Sequence, residues 1–194
     1  MSYKDLIKES LDESARIKTA LANGYAGYIE CIAMDIVEGY LLGKKVLAFG
    51  NGGSAADAQH FVAELVGWYG IKDRKPLEAI CLNTNVSNLT AIANDAGYEN
   101  VFSRQIEAFG NKGDVAFGIS TSGNSPNVVK AFNVAKEKGM RAIALTGERD
   151  SKLSAIADYV LKVPSNDTPR IQEAHIAVIH IICDIVEREL FLKK

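Results

Sequence analysis

The run Val46-Leu47-Ala48-Phe49-Gly50-Asn51-Gly52-Gly53-Ser54-Ala55-Ala56-Asp57-Ala58-Gln59-His60-Phe61-Val62-Ala63-Glu64 reads as a buried strand, a glycine turn and a helix. Val46 to Phe49 is apolar without alternation, as expected of a strand covered on both faces. Gly50, Gly52 and Gly53 let the backbone turn sharply and approach a ligand closely. Ser54 is the expected N-cap, and the helix starting at Ala55-Ala56 exposes free N–H groups at its mouth. Such a mouth binds anions, phosphate above all. His60 and Glu64 lie four apart on one helix face, about 6 Å along the axis.

Outward from this unit the chain alternates. Upstream, residues 3–22 carry an apolar stripe of Leu6, Ile7, Leu11, Ile17 and Leu21. Asn23-Gly24 is expected to break that helix, and a second runs over residues 26–42 to a stop at Gly43. A helix this early needs a surface to pack on, either its own domain or a partner subunit. Downstream, strands are expected at 78–82, 114–119, 141–145 and 159–163. Helices are expected from about 86 to 94, at 101–109, 126–138 and 152–157, with a long one over 170–192. Two helices followed by alternating strands and helices mean an α/β fold with a parallel sheet and right-handed crossovers. Ligands then sit at the carboxyl ends of the strands.

With 194 residues, 47% hydrophobic and 24% charged, the chain is long enough for one domain with a real core. A net charge of -2 without a basic block shows no nucleic-acid footprint. Cys31, Cys81 and Cys183 are far apart and odd in number, which fits a reducing compartment rather than a disulfide framework. Met1-Ser2-Tyr3-Lys4-Asp5 opens no apolar signal region, and no run approaches the ~20 apolar residues of a membrane span. The expectation is a cytoplasmic soluble protein with no membrane contact.

Gly50 to Ala55 also satisfies a dinucleotide fingerprint, but the second strand ends Cys81-Leu82-Asn83 without the acid that would hold a ribose. No Gly-Lys-Ser/Thr follows, so it is not a Walker loop. Ser120-Thr121-Ser122-Gly123-Asn124-Ser125-Pro126 is more telling. It crowds four hydroxyls and several N–H groups at a helix start, which suits a phosphate monoester on a polyol. Glu64 is a candidate base for moving a proton between adjacent carbons, and His60 with Glu64 is a candidate metal pair. The last helix carries Gln172, Glu173, His175, His180 and Asp184. There Asp184 is placed to orient the His180 imidazole, and His175 reads as a core or interface histidine. Gln172 and His180 stand ~12 Å apart on a straight helix, so one shared metal would have to lie between them, or the helix would have to begin irregularly.

With these residues in hand, the chain resembles the phosphoheptose isomerases of the sugar-isomerase (SIS) domain superfamily over essentially its whole length. The motifs are Gly50-Asn51-Gly52-Gly53-Ser54-Ala55-Ala56-Asp57-Ala58-Gln59-His60, Ala91-Ile92-Ala93-Asn94-Asp95, Ser120-Thr121-Ser122-Gly123-Asn124-Ser125, and Arg170-Ile171-Gln172-Glu173 with His180. The resemblance implies a single SIS domain over 1–194, a three-layer α/β/α sandwich with a five-stranded parallel sheet. Two N-terminal helices would occupy 1–43 and the α/β core 44–194. It implies a homotetramer with active sites between subunits. The implied reaction converts sedoheptulose 7-phosphate to D-glycero-D-manno-heptose 7-phosphate, opening the ADP-heptose route to lipopolysaccharide or capsule.

By the same resemblance, Glu64 is the base and His180 the acid. Substrate contacts fall on Asn51, Gly52, Gly53, Glu64, Asn94, Asp95, Ser120, Thr121, Ser122, Ser125 and Gln172. Zn2+ is held by His60, Glu64, Gln172 and His180. A zinc ion on Glu64 would lower its basicity, so its two implied roles are in tension. The chain departs from the pattern at Trp68, where many members carry Arg, with Lys72 or Arg74 as a stand-in, and at Pro169, where many carry an acid. Two competing readings are a non-catalytic relative of the DnaA initiator-associating type and a sugar-phosphate sensor.

Overall fold

The computed structural model describes residues 2–193. The first helix, α1 (Tyr3–Leu41), starts on a capping box. The Asp5 N–H donates to Ser2 Oγ, and the Ser2 N–H donates to Asp5 Oδ2. The expected break at Asn23-Gly24 does not occur, and the two predicted helices form one rod of 39 residues. The reason lies in the stripe: Ile17, Leu21, Tyr25, Ile29, Ile32, Ala33 and Ile36 recur at helical spacing straight through the glycine. Gly24 faces solvent on the other side, and an interior glycine costs about 0.5–1 kcal/mol, less than that packing returns.

The sheet strands are β1 (Val46–Gly50), β2 (Ala79–Cys81), β3 (Val115–Ile119), β4 (Arg141–Thr146) and β5 (Tyr159–Lys162). All pair parallel in the order β2-β1-β3-β4-β5. Between them lie α2 (Gly53–Val66), α3 (Val86–Ala96), α4 (Ser103–Phe109), α5 (Pro126–Glu137) and α6 (Lys152–Ile156), and α7 (Thr168–Phe191) closes the chain. A single 3-10 turn (Tyr98–Asn100) precedes α4, so the helix expected from 101 begins at Ser103. The last helix starts before Pro169 rather than after it, because proline's fixed φ suits a first turn.

Three layers result, as the resemblance implied. One core joins α1, α2 and α7 to the sheet face bearing Val46, Ala48, Phe117 and Ile119. The other joins α4, α5 and α6 to the face bearing Leu47, Phe49, Ala116 and Ala144. Neighbouring residues of β1 thus serve opposite cores, which is why the strand is apolar throughout. Phe49 packs between Phe102 and Phe132, with ring centroids 5.3 and 5.7 Å away. At the amino end of the sheet, Lys45 Nζ pairs with the buried Asp114 at 2.7 Å. At the other end the chain leaves β1 toward β2 and returns to the opposite side as β3. That divergence is a topological switch point, where open parallel sheets bind ligands.

The stripe of α1 divides in two. Ile17, Leu21 and the residues beyond bury against α7, whereas Leu6, Ile7 and Leu11 stay 49%, 59% and 66% exposed. Among the described residues no helix is long and apolar enough to cross a membrane. Because an added Cβ at Gly24 meets nothing within 4 Å, Gly24→Ala is expected to raise stability by about 0.5–1 kcal/mol. Chemical unfolding measures this; a loss of stability would show that the exposed turn is strained or covered.

Candidate active site

The glycine turn after β1 is held by an amide. Gly50 N–H donates to Asn83 Oδ1 at 3.2 Å, and Asn83 Nδ2 donates back to Gly50 O at 2.8 Å. Asn83 stands where a dinucleotide fold would place its acid, and here it clamps backbone instead. Gly52, not Ser54, caps α2, with φ +58°, a conformation glycine alone adopts at little cost. Ser54 lies inside the first turn, buried. A Cβ at Gly53 would come within 2.5 Å of the Gln172 amide nitrogen, so the bare backbone lets α7 close over the start of α2.

The Asn51 side chain is committed sideways. It donates to Asn127 Oδ1 and accepts from Asn127 Nδ2, both at 2.9 Å, and accepts from the Tyr98 hydroxyl at 3.1 Å. This ties the first turn to the start of α5. The turn after β3 gathers its hydroxyls: Ser120 Oγ lies 3.0 Å from Ser125 Oγ and 3.5 Å from Ser122 Oγ. Ser125 caps α5 without giving its own hydroxyl to the helix, leaving that hydroxyl for a ligand. Thr121 contributes its carbonyl, which accepts from Gly147 N–H and fixes the turn to the end of β4.

The second half of the site lies where α2 and α7 run side by side in the same direction. Gln172 meets Gly53 at one end, and further along His180 Nε2 meets His60 Nε2 at 3.2 Å. His60 Nε2 is also 3.0 Å from Glu64 Oε1. The His180 ring is flanked by Tyr69, with centroids 5.7 Å apart. One imidazole nitrogen facing a carboxylate and a second imidazole must share a proton or another cation with them. Tetrahedral zinc sets its neighbouring donors about 3.3 Å apart, so the spacing suits such an ion after a shift of a few tenths of an ångström. As they stand the donors crowd one another. Among the described residues no three His, Cys, Asp or Glu side chains surround a ready-made metal centre.

Not every expected residue joins this group. Gln172 lies eight residues from His180 on a regular helix, about 12 Å along the axis, with its amide over Gly53. Asn94 and Asp95 are exposed at the end of α3, where Asn94 Nδ2 donates to Asp95 Oδ1. Asp184 does not orient His180; its carboxylate accepts from Arg188. Arg74 cannot stand in for the arginine missing at Trp68, because its guanidinium is buried on Glu187. Lys72 remains exposed. Asn83, Asn127 and Tyr98 were not singled out in sequence. Their only signal is position: Asn83 lies two residues beyond the end of β2 and Asn127 follows the helix-starting Pro126.

His175 is fully buried, and its Nε2 donates to Thr146 O at 3.1 Å, pinning α7 to the end of β4. Burial pushes its pKa down to about 4, against the opposing pull of that bond. Burial pushes Asp57, a turn before His60, up to about 6, with His60 opposing.

Residues 10–147 match the SIS domain family. The sheet order, the glycine turn and the hydroxyl turn at the switch point define a SIS-domain protein. Within that class the chain is 54% identical over 187 residues to the phosphoheptose isomerase of Geobacter sp. (strain M21), covering 96% of this chain and 97% of the relative. The phosphoheptose isomerase structure from Francisella tularensis superposes with a TM-score of 0.93 at 36% identity, covering 97% of this chain and 100% of that one. The one from Neisseria gonorrhoeae gives 0.90 at 42%, covering 96% and 99%. The chain belongs to the phosphoheptose isomerase family.

The two shifted groups act oppositely on stability. His175 has a folded value below its ordinary 6.5, so the unfolded chain takes the proton first, and stability is lost as pH falls from about 6.5 to about 4. Asp57 has a folded value above its ordinary 3.8, so stability is gained as pH falls below about 6. Asp57 is only half-buried, and solvent screening weakens its share. Relative to the parent, His175→Gln is therefore expected to gain stability on acidification, by up to about 1.4 kcal/mol per pH unit. Urea unfolding across that range tests it; parallel curves would remove His175 from the acid response.

Proposed function

We propose that this chain interconverts sedoheptulose 7-phosphate and D-glycero-D-manno-heptose 7-phosphate, the step that supplies heptose for ADP-heptose. The observation that carries this reading is the pairing of two features at one end of the sheet. A hydroxyl-lined turn follows β3, and a carboxylate–imidazole cluster lies between α2 and α7.

Ser120, Ser122 and Ser125, with the N–H groups at the mouth of α5, bind the phosphate. Backbone N–H groups of Gly52 and Gly53 orient the sugar. Glu64 takes the proton from one of C1 and C2 and returns it to the other through an enediol. His180 serves the two oxygens as acid and base. Sharing His60 between Glu64 and His180 holds both groups facing one substrate end. His60, Glu64 and His180 are the residues that would hold zinc, whereas Gln172, the fourth position that the resemblance implies, has its amide over Gly53 and away from this group. When bound, the ion would stabilise negative charge gathering on the substrate oxygens.

We also infer assembly into a homotetramer. The exposed Leu6, Ile7 and Leu11, and the apolar groove formed by Leu21, Ile29, Met34, Ile181 and Ile185 between α1 and α7, are surfaces that copies of the chain would cover. Sites between subunits also give Asn94 and Asp95 a role in a neighbour's site. A cytoplasmic location fits the nucleotide-sugar route.

Purified protein is expected to turn over sedoheptulose 7-phosphate, and Glu64→Gln and His180→Ala are each expected to lower kcat by about 10²–10⁴-fold. Near-parent turnover in either variant removes that residue from the chemistry, and binding without turnover in the parent means a sensor. Ser122→Ala and Ser125→Ala are expected to act chiefly on KM. A chelator that leaves kcat unchanged would eliminate zinc.

A further inference from the structure

Beyond the site itself, the most heavily satisfied buried charge among the described residues joins the loop after α2 to the far end of α7. Arg74 and Glu187 have side chains only 2% and 3% exposed. Arg74 Nε donates to Glu187 Oε1 at 2.5 Å, Nη2 to Glu64 O at 2.6 Å, and Nη1 to Leu65 O at 2.9 Å. The guanidinium thus fills the open carbonyls at the end of α2, where the helix dipole favours a cation. One of those carbonyls belongs to Glu64 itself. Glu187 accepts in addition from the N–H groups of Tyr69, Gly70 and Ile71, at 2.6, 2.8 and 2.8 Å. Burial alone would push its pKa up, but Arg74 and these N–H donors outweigh it and hold the carboxyl below the ordinary value.

The placement is specific. Glu187 lies seven residues beyond His180, on the same face of α7. Through Arg74 it grips the turn of α2 that ends on Glu64, and through the loop N–H groups it holds Tyr69 against the His180 ring. Stability alone is a weak reason for such a pair, since apolar residues of similar volume often serve as well or better. What an apolar pair lacks is direction. Six bonds at set angles fix α2, the 69–71 loop and α7 relative to one another.

We propose that the buried Arg74–Glu187 pair is a positioning device for proton transfer, setting where Glu64 and His180 stand relative to each other and holding Tyr69 as the wall beside the imidazole. This rests on the isomerase reading for its kinetic consequence but not for its geometric one. Arg74→Lys keeps the charge and loses the fork that caps Glu64 O and Leu65 O. Glu187→Gln keeps an acceptor and loses the charge. In the full chain, each is expected to lower kcat by about 10–100-fold with KM changed less than about twofold. Each is also expected to weaken zinc binding, measured by competition with a chromophoric chelator, by about tenfold or more.

The deciding readout is the ring-proton resonance of His180, one of only three histidines in the chain. It should lose the Tyr69 ring-current shift and move toward its position in Tyr69→Ala. Lys45→Met, which breaks the Lys45–Asp114 pair at the opposite end of the sheet, supplies the control for destabilisation. It is expected to lower the melting temperature with kcat and the His180 resonance unchanged. If Arg74→Lys and Glu187→Gln behave like Lys45→Met, the pair is merely structural and the proposal is overturned. Should either fail to fold, Arg74→Met/Glu187→Leu is expected to fold without regaining kcat or the resonance, and full recovery of both would overturn the proposal. A parent protein that does not turn over the heptulose defeats the isomerase reading alone, since zinc affinity and the His180 resonance still decide the positioning role.

Discussion

Two imidazoles on different helices meet at 3.2 Å, and that meeting depends on how closely α2 and α7 lie along each other. The approach is made possible at one end by the absence of a side chain. Gly53 leaves room for the Gln172 amide to lie on the backbone where α2 begins. At the other end Arg74 and Glu187 fasten the same two helices through directed bonds. Between these fastenings, His60, Glu64 and His180 are held in a geometry that none of the three would keep alone. A helix residue set back by even one side-chain diameter would leave the carboxylate and the second imidazole facing water rather than each other.

The sheet supplies the second half of the arrangement. Because β1 and β3 are neighbours whose chains depart to opposite sides, their two turns stand next to each other. The Asn51–Asn127 amide pair and the Tyr98 hydroxyl then lock one turn to the other. The phosphate site proposed at these turns is built of hydroxyls and backbone N–H groups. Ser120 Oγ already lies within hydrogen-bond reach of both Ser122 and Ser125, so an anion entering there would displace hydroxyl contacts rather than break an ion pair. Under that proposal the donors for a monoester are the N–H groups at a helix mouth, which point outward without needing a buried cation.

Much of this was legible before any coordinates. A glycine turn between an unalternating apolar run and an alanine-rich helix has few other readings. The hydroxyl turn before Pro126 was equally plain, because both patterns are local and their constraints act within a few residues. Local reasoning also explains the errors. Asn23-Gly24 looked like a stop because glycine weakens a helix, yet the weakness is about 1 kcal/mol and the buried stripe from Ile17 to Ile36 outweighs it. Asp184 looked like the partner of His180 by spacing, and Arg188, at the same spacing on the other side, takes it. Arg74 was read as a stand-in for the arginine missing at Trp68, and only the fold brings Glu187 to it across a separation of 113 residues.

The order of strands and helices, the two ligand turns and the helix face shared by His60 and Glu64 were determined by the sequence itself, through periodicity, glycine's conformational freedom and helix-capping chemistry. Those forces act between residues close in the chain, and they can be read in one dimension. Which buried charge finds which partner, and which amides clasp the turns, only the tertiary structure decided. So too did it decide whether His180 arrives at His60. A buried polar group takes whatever partner packing brings to it, and an unpaired one is too costly to leave, so its choice depends on every element packed around it.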